Sequence, residues 1–289
     1  MDLLRTLLFV PADSPKKMAK ARTVHPDGFI FDLEDAVAPS RKAEARALLL
    51  AELNTLQSTA KLWVRINSFR SGLWKDDLGV AVHPKVSVIS LPKCEDSDEI
   101  ALIDQSITDR EVALSIPRGQ IRLHLILETA LGVLRVQELA RASERVSALS
   151  FGAQDYAAEM GVSCLPNAPG EFVVPRSLVA MTAQAFRLQA IGGVFTNLED
   201  VNGLIEDTGR GIREGFTGKT LIHPAQIETV HRAFRPSDQE AAWAREVVDA
   251  FEAAKAQGSG VLVVRGRMVD EPILLQAHRI LSRLEAGPQ

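Results

Sequence analysis

Two carboxylates stand where apolar, strand-like runs give out: Glu128 closes "RLHLILET" (122–129), and Asp155 ends "VSALSFGAQD" (146–155). With no cysteine or histidine pair beside them, they suit a hard cation such as Mg²⁺, which takes few protein oxygens and keeps positions for water and substrate. The structural alternative is that Glu128 caps the next helix and Asp155 pairs with an arginine. A third run, "GFIFDLED" (28–35), ends in Asp32, Glu34 and Asp35. Strand alternation would put Asp32 and Glu34 on one face and Asp35 on the other, so the three cannot share one role. Arg65, in "LWVRIN" (62–67), either closes a buried ion pair or grips a substrate carboxylate or oxyanion by a two-pronged contact. Lys93 reads as an ion-pair or phosphate contact, since nothing else supports Schiff-base chemistry. His124, deeper on the strand face of Glu128, reads as a satisfied core histidine, and His223 in "LIHP" as a structural hydrogen bond.

These residues need a scaffold that gathers strand ends. Eight short runs, at 5–11, 28–35, 62–67, 86–93, 122–129, 146–155, 193–197 and 219–224, are mostly continuous apolar stretches, as expected of parallel strands buried on both faces. Amphipathic segments such as "SRKAEARALLLAELNTL" (40–56) separate nearly all of them. The pattern predicts a (β/α)8 TIM barrel, whose C-terminal strand ends carry the chemistry. A doubly wound sheet is the runner-up, but no Gly-rich turn follows the first strand. The barrel is assigned to residues 1–235. Residues 236–289 form a C-terminal helical appendage: a helix over 237–258, a short extended piece, a turn at Gly266 and a helix from near Pro272. "REGFTGKT" is no phosphate loop, because Arg213 holds the place of its first glycine, and "GRGIREG" lacks the turn and acidic partner of a dinucleotide site.

The 289 residues carry a formal charge of −4, with scattered lysines and arginines, which argues against nucleic acid as a partner. Cys94 and Cys164 are too few for a disulfide framework and have no metal-ligand spacing, so a reducing compartment is expected. No stretch reads as a signal peptide or a membrane span, and a cytoplasmic location is the expectation.

Seven segments then carry a resemblance: "LLFVPADSPKKMAKA", "DGFIFDLEDAVAPSRKAEAR", "WVRIN", "ILET", "SFGAQDYAAEMG", "GFTGKTLIHPAQI" and "GRMVDEPILLQAHRIL". In this order, from about Leu7 to Leu284, the chain resembles the citrate lyase beta-subunit-like family. That is the branch of the HpcH/HpaI aldolase superfamily that includes malyl-CoA and citramalyl-CoA lyases. The resemblance implies a barrel binding Mg²⁺ through Glu128 and Asp155, with Arg65 on the substrate and the acids of "DLED" ordering the metal's waters, Glu34 or Asp35 foremost. It implies backbone donors at Gly152 and Ala153, and an acid/base Asp270 reaching into an adjacent subunit of a homotrimer or hexamer.

The implied reaction cleaves a 3-hydroxyacyl-CoA between C2 and C3, giving acetyl-CoA and a 2-oxo acid. The metal and Arg65 stabilise the developing charge, and Asp270 returns a proton to the enolate carbon. Lys16, Lys17 and Lys20 either touch CoA or form the solvated face of the first helix. Gln154 stands where many relatives carry a second acid, and Gly192 where an aspartate is common. Two other readings compete: a subunit of a multi-component citrate lyase working on an acyl-carrier-protein thioester, and a non-catalytic barrel that binds CoA or a 2-oxo acid.

Overall fold

The computed structural model describes residues 4–163, 172–256, 258 and 260–285, so Cys164 lies outside the described residues. They fall into two compact units, residues 1–230 and 231–289. In the first, runs too apolar to leave either face in water pair side by side until no edge remains. The strands are β1 (Thr6–Pro11), β2 (Gly28–Asp32), β3 (Lys61–Arg65), β4 (Val86–Leu91), β5 (Arg122–Leu127), β6 (Val146–Phe151), β7 (Gln189–Gly192) and β8 (Gly218–Leu221). They close in sequence order into a parallel barrel, with β1 bonded to both β2 and β8.

Between them run α1 (Pro15–Ala21), α2 (Lys42–Thr55), α3 (Trp74–Ala81), α4 (Ser97–Ala113), α5 (Ala130–Leu134), α6 (Val136–Leu139), α7 (Ala153–Met160), α8 (Val173–Ala185) and α9 (Val201–Glu214). Their starts are chemically marked. Ser14, Asp96, Thr129 and Asp200 each accept a backbone N–H of the following first turn. The lower barrel interior is filled by Leu7, Ile30, Trp63, Val88, Ala148 and Ile191.

Two expectations need correction. The second strand ends at Asp32 rather than 35, because Asp32 turns the chain: its carboxylate accepts the N–H groups of Glu34 and Ala36 at 2.9 and 3.1 Å. The seventh strand is Gln189–Gly192, not 193–197. The ladder pairs Ala148 with Gln189 and Ile191 with Gly218, so the β-branched "VFT" that resembled a strand belongs to the loop beyond it.

The end of the barrel opposite the carboxylates is held by buried ion pairs. Arg145, 4% exposed, donates to both oxygens of Glu111, which is fully buried, and to Asp104, Thr108 and the Ile121 carbonyl. Glu111 also accepts the N–H groups of Gly119 and Ile121, tying α4 to the start of β5. Arg145→Met would leave Glu111 charged, buried and short of partners. An equilibrium urea titration should show a loss of about 3–5 kcal/mol, with a smaller loss in the Arg145→Met/Glu111→Leu double variant.

On β8, Lys219 donates to Asp207 of α9 and to the Gly193 carbonyl. Burial opposes the charge on Asp207, but Lys219, Arg210 and Arg176 outweigh it and hold the carboxyl at about 2. A depressed folded-state pKa contributes stability above the unfolded value, about 3.8, and loses it as pH falls through the folded one. Asp207→Asn should therefore cost about 2 kcal/mol at pH 6, and the gap from the parent protein should close between pH 4 and 2. A constant gap across that window would disprove the assignment.

The second unit contains α11 (Asp238–Ala256), an antiparallel hairpin of β9 (Leu262–Val264) and β10 (Arg267–Val269), and α12 (Glu271–Glu285). The hairpin turns at Arg265 and Gly266, with φ of +48° and +75°. Its core is Ala244, Val247, Phe251, Val264, Val269 and Ala277. The helix α10 (Gln226–Phe234) follows β8. Among the described residues, no helix is long and apolar enough to cross a membrane.

Candidate active site

A cavity of about 690 Å³ opens at the C-terminal ends of the strands. Asp32, Asp35, Arg65, Glu128, Gly152, Ala153, Gln154 and Asp155 line it, with Lys17 and Lys20 of α1. Residues more than 100 positions apart meet here because each follows or ends a parallel strand, and a closed barrel brings all such ends to one rim.

Arg65 is the most constrained cation. Its Nε and Nη2 donate to the two oxygens of Asp32 at 2.7 and 2.6 Å, its Nη1 lies 2.9 Å from Glu34 Oε2, and its guanidinium sits over the Phe9 ring at 4.9 Å. Of the two alternatives posed by the sequence, the buried ion pair is the one seen here. The two-pronged contact is made with Asp32, which leaves Nη1 and one Nη2 hydrogen for anything entering the cavity. Burial works against its charge, yet Asp32, Glu34 and Glu128 outweigh it and keep the group fully protonated.

Asp32 and Glu34 are buried, whereas the Asp35 side chain is 57% exposed. The turn is set from behind. Lys42 donates to the carbonyls of Leu33 and Glu34 at 2.7 Å each, and Asn67, held by Asp77, donates to Leu33 at 3.0 Å. Glu34 Oε1 accepts from Lys93 Nζ at 2.8 Å, but buried Oε2 has no hydrogen bond of good geometry. Burial raises the Glu34 pKa above the usual carboxylate range, against the pull of Arg65 and Lys93.

Glu128 is 3% exposed and does not cap the next helix; Thr129 does that. Its Oε1 accepts the Lys93 N–H at 2.9 Å. Burial, then the charges of Glu34 and Asp155, push it up to about 8. Asp155, in the first turn of α7, has a lysine rather than an arginine near it, Lys93 Nζ at 3.4 Å. The Gly152 N–H donates to the Leu127 carbonyl at 3.0 Å, so it is not a donor aimed at substrate. Its contribution is the missing side chain: a Cβ there would stand 2.5 Å from Glu128 Oε2 and 2.6 Å from Glu128 Cβ. Ala153 opens α7 beside it.

His124 is fully buried between the hydroxyls of Ser90 and Ser150, at 3.0 and 2.9 Å. Burial, with some help from Arg65, lowers it to about 3, so it is neutral. His223 Nδ1 accepts the Ala225 N–H at 3.2 Å. Asp270 belongs to the C-terminal unit, where Oδ1 accepts the Ile273 N–H at the start of α12. The residue that sequence reasoning undervalued is Lys93. It was legible only as a cation after a strand, and its contact with four acids is tertiary. Among the described residues, no group of three or more His, Cys, Asp or Glu side chains has metal-site geometry as it stands.

Residues 5–224 match the model of the HpcH/HpaI aldolase/citrate lyase family. The chain is 36% identical to citrate lyase subunit beta of Leuconostoc mesenteroides subsp. cremoris, over 99% of this chain and 94% of that one. It is 32% identical to mitochondrial citramalyl-CoA lyase of Mus musculus, over 96% and 85%. The crystal structure of protein CitE from Mycobacterium tuberculosis in complex with magnesium, acetoacetate and coenzyme A superposes with a TM-score of 0.82 at 31% identity, covering 99% of this chain and all of that one. The chain belongs to the HpcH/HpaI aldolase/citrate lyase family and is a lyase of the aldolase superfamily.

Proposed function

We propose that the protein is a Mg²⁺-dependent carbon–carbon lyase that interconverts a 3-hydroxyacyl-CoA, such as malyl-CoA or citramalyl-CoA, with acetyl-CoA and a 2-oxo acid. The observation that carries this reading is the charge imbalance at the barrel mouth. Among the described residues, Asp32, Glu34, Asp35 and Asp155 share Arg65 and Lys93 as their ion-pair partners, and buried Glu128 makes no ion pair; Lys17 and Lys20 line the same cavity. A divalent cation fits this excess: it would neutralise buried carboxylates and give Glu34 Oε2 a polar partner, and hard oxygen donors suit magnesium.

Glu128 and Asp155 are assigned as the protein's metal ligands, with Glu34 and Asp35 beside them. Bound Mg²⁺ supplies positive charge that polarises the oxygens of the reacting hydroxy acid. Arg65, rigid on Asp32, places its remaining N–H groups where negative charge develops as the C2–C3 bond breaks. The electron pair of that bond moves onto the thioester, the hydroxyl proton passes to water, and the former C2 takes a proton in exchange, so that none is gained or lost overall. Asp270, supplied by a neighbouring copy in a homotrimer or hexamer, is assigned to deliver that proton from its carboxyl oxygen. Lys17 and Lys20 of α1 would meet the CoA phosphates, and Gln154 in place of an acid leaves the rim less negative.

The test is direct. Purified protein with Mg²⁺ is given malyl-CoA, citramalyl-CoA and citryl-CoA, and acetyl-CoA and the 2-oxo acid are assayed. Turnover should fall at least about 10²-fold with EDTA and return with Mg²⁺. The 36% identity to a citrate lyase subunit beta favours a second reading, a subunit working on an acyl-carrier-protein thioester. Activity only after partner chains and carrier protein are added would select that reading.

A further inference from the structure

The carboxylate cluster already contains a cation of the protein's own. The Lys93 ammonium lies 2.8 Å from Glu34 Oε1, 3.4 Å from Asp155 Oδ1 and 3.5 Å from Asp35 Oδ2. The N–H of the same residue donates to Glu128 Oε1 at 2.9 Å. One residue thus tethers four carboxylates that arrive from three different strand ends. Its backbone is left-handed, with φ of +53°, a conformation disfavoured for any residue bearing a Cβ. Here it turns amide and side chain toward the same cluster, and the contacts made there hold it.

We propose that Lys93 is a positioning residue whose ammonium is the internal counter-ion of this cluster. It holds Glu34, Asp35 and Asp155 together in the metal-free protein and competes with a divalent cation for them. The competing half rests on the lyase reading above; the tethering half stands on the contacts alone. The physics is simple. Without the Lys93 ammonium, Glu34, Asp35 and Asp155 lose the counter-ion they share and repel one another, so the metal-free cluster splays. With Lys93 in place an incoming cation meets a site already partly neutralised, so its affinity is reduced while the carboxylates stay ordered for it.

The test uses the full chain, stripped with EDTA, in thermal melts and in Mn²⁺ titrations followed by EPR. Lys93→Met should lower the metal-free Tm, and that loss should shrink to about half or less in a Glu34→Gln background, because the pair acts as a unit. Mn²⁺ should bind Lys93→Met and Lys93→Gln about tenfold more tightly than the parent. Lys93→Arg, which keeps the charge, should stay within about twofold of the parent. Two uncharged variants guard against one that folds poorly, with circular dichroism as the check. Equal Tm losses in both backgrounds would overturn the tethering, and unchanged or weaker Mn²⁺ binding in both uncharged variants would overturn the competition. If no protein in the set binds Mn²⁺, the lyase reading falls, while the metal-free melts still decide whether Lys93 tethers the cluster.

Discussion

Arg65→Lys is expected to lower kcat by about 10²–10³-fold while the charge at the position is kept. The guanidinium makes two directed hydrogen bonds, Nε and Nη2 to Asp32, while Nη1 stands 2.9 Å from Glu34 Oε2 as an ion pair. A lysine has one nitrogen on a flexible stem and cannot span both carboxylates in a plane. It would also forfeit the flat contact over the Phe9 ring. Asp32 is 1% exposed and Glu34 5%, so whichever the ammonium abandons stays charged or half-paired in a dry site. A stability loss of about 2–4 kcal/mol should accompany the loss of rate. Steady-state kinetics with Mg²⁺ saturating, set beside a urea titration, separate the two effects. An Arg65→Lys protein within about threefold of the parent in kcat would remove Arg65 from the chemistry.

The second large effect is expected from the smallest change. Gly152→Ala adds one methyl group, and that methyl meets Glu128 Oε2 at 2.5 Å and Glu128 Cβ at 2.6 Å. The first contact could be relieved by rotating the carboxylate, but the second is with the root of the side chain, so Glu128 or the start of α7 must move. Such overpacking costs about 1–3 kcal/mol. Its effect on activity should be larger, about 10²-fold, because metal ligands tolerate only small displacements. Mn²⁺ affinity should fall at least about tenfold. A variant that loses stability but keeps metal affinity and rate would show that Gly152 serves packing alone.

Lys93 shows where sequence reasoning stops. As a lone basic residue after Pro92, it offered only a generic ion pair. Its importance comes from a positive φ and from acids 59 positions before and 62 positions after it, and no local pattern encodes either. Arg65 was readable as a buried cation with two candidate fates; its Asp32 partner emerged only when neighbouring strands β2 and β3 set the two residues side by side in register. Gly152 was singled out for its amide, which the fold gives to Leu127, while the steric requirement at its Cα was invisible without Glu128 in place.

Architecture and rim follow from the order of apolar and polar residues along the chain. Buried parallel strands must be apolar on both faces, so eight such runs separated by helices leave few folds open, and polar residues at their ends must gather at one mouth. Seven of the eight strands fall within the expected ranges or one residue from them; the seventh failed because a four-residue strand that runs out into Gly192 and Gly193 carries too little pattern. Which side chain pairs with which is settled by the closed barrel. Hydrogen bonds and ion pairs act over about 3 Å, so partner choice depends on register, turn geometry and burial, which arise only once the barrel has closed.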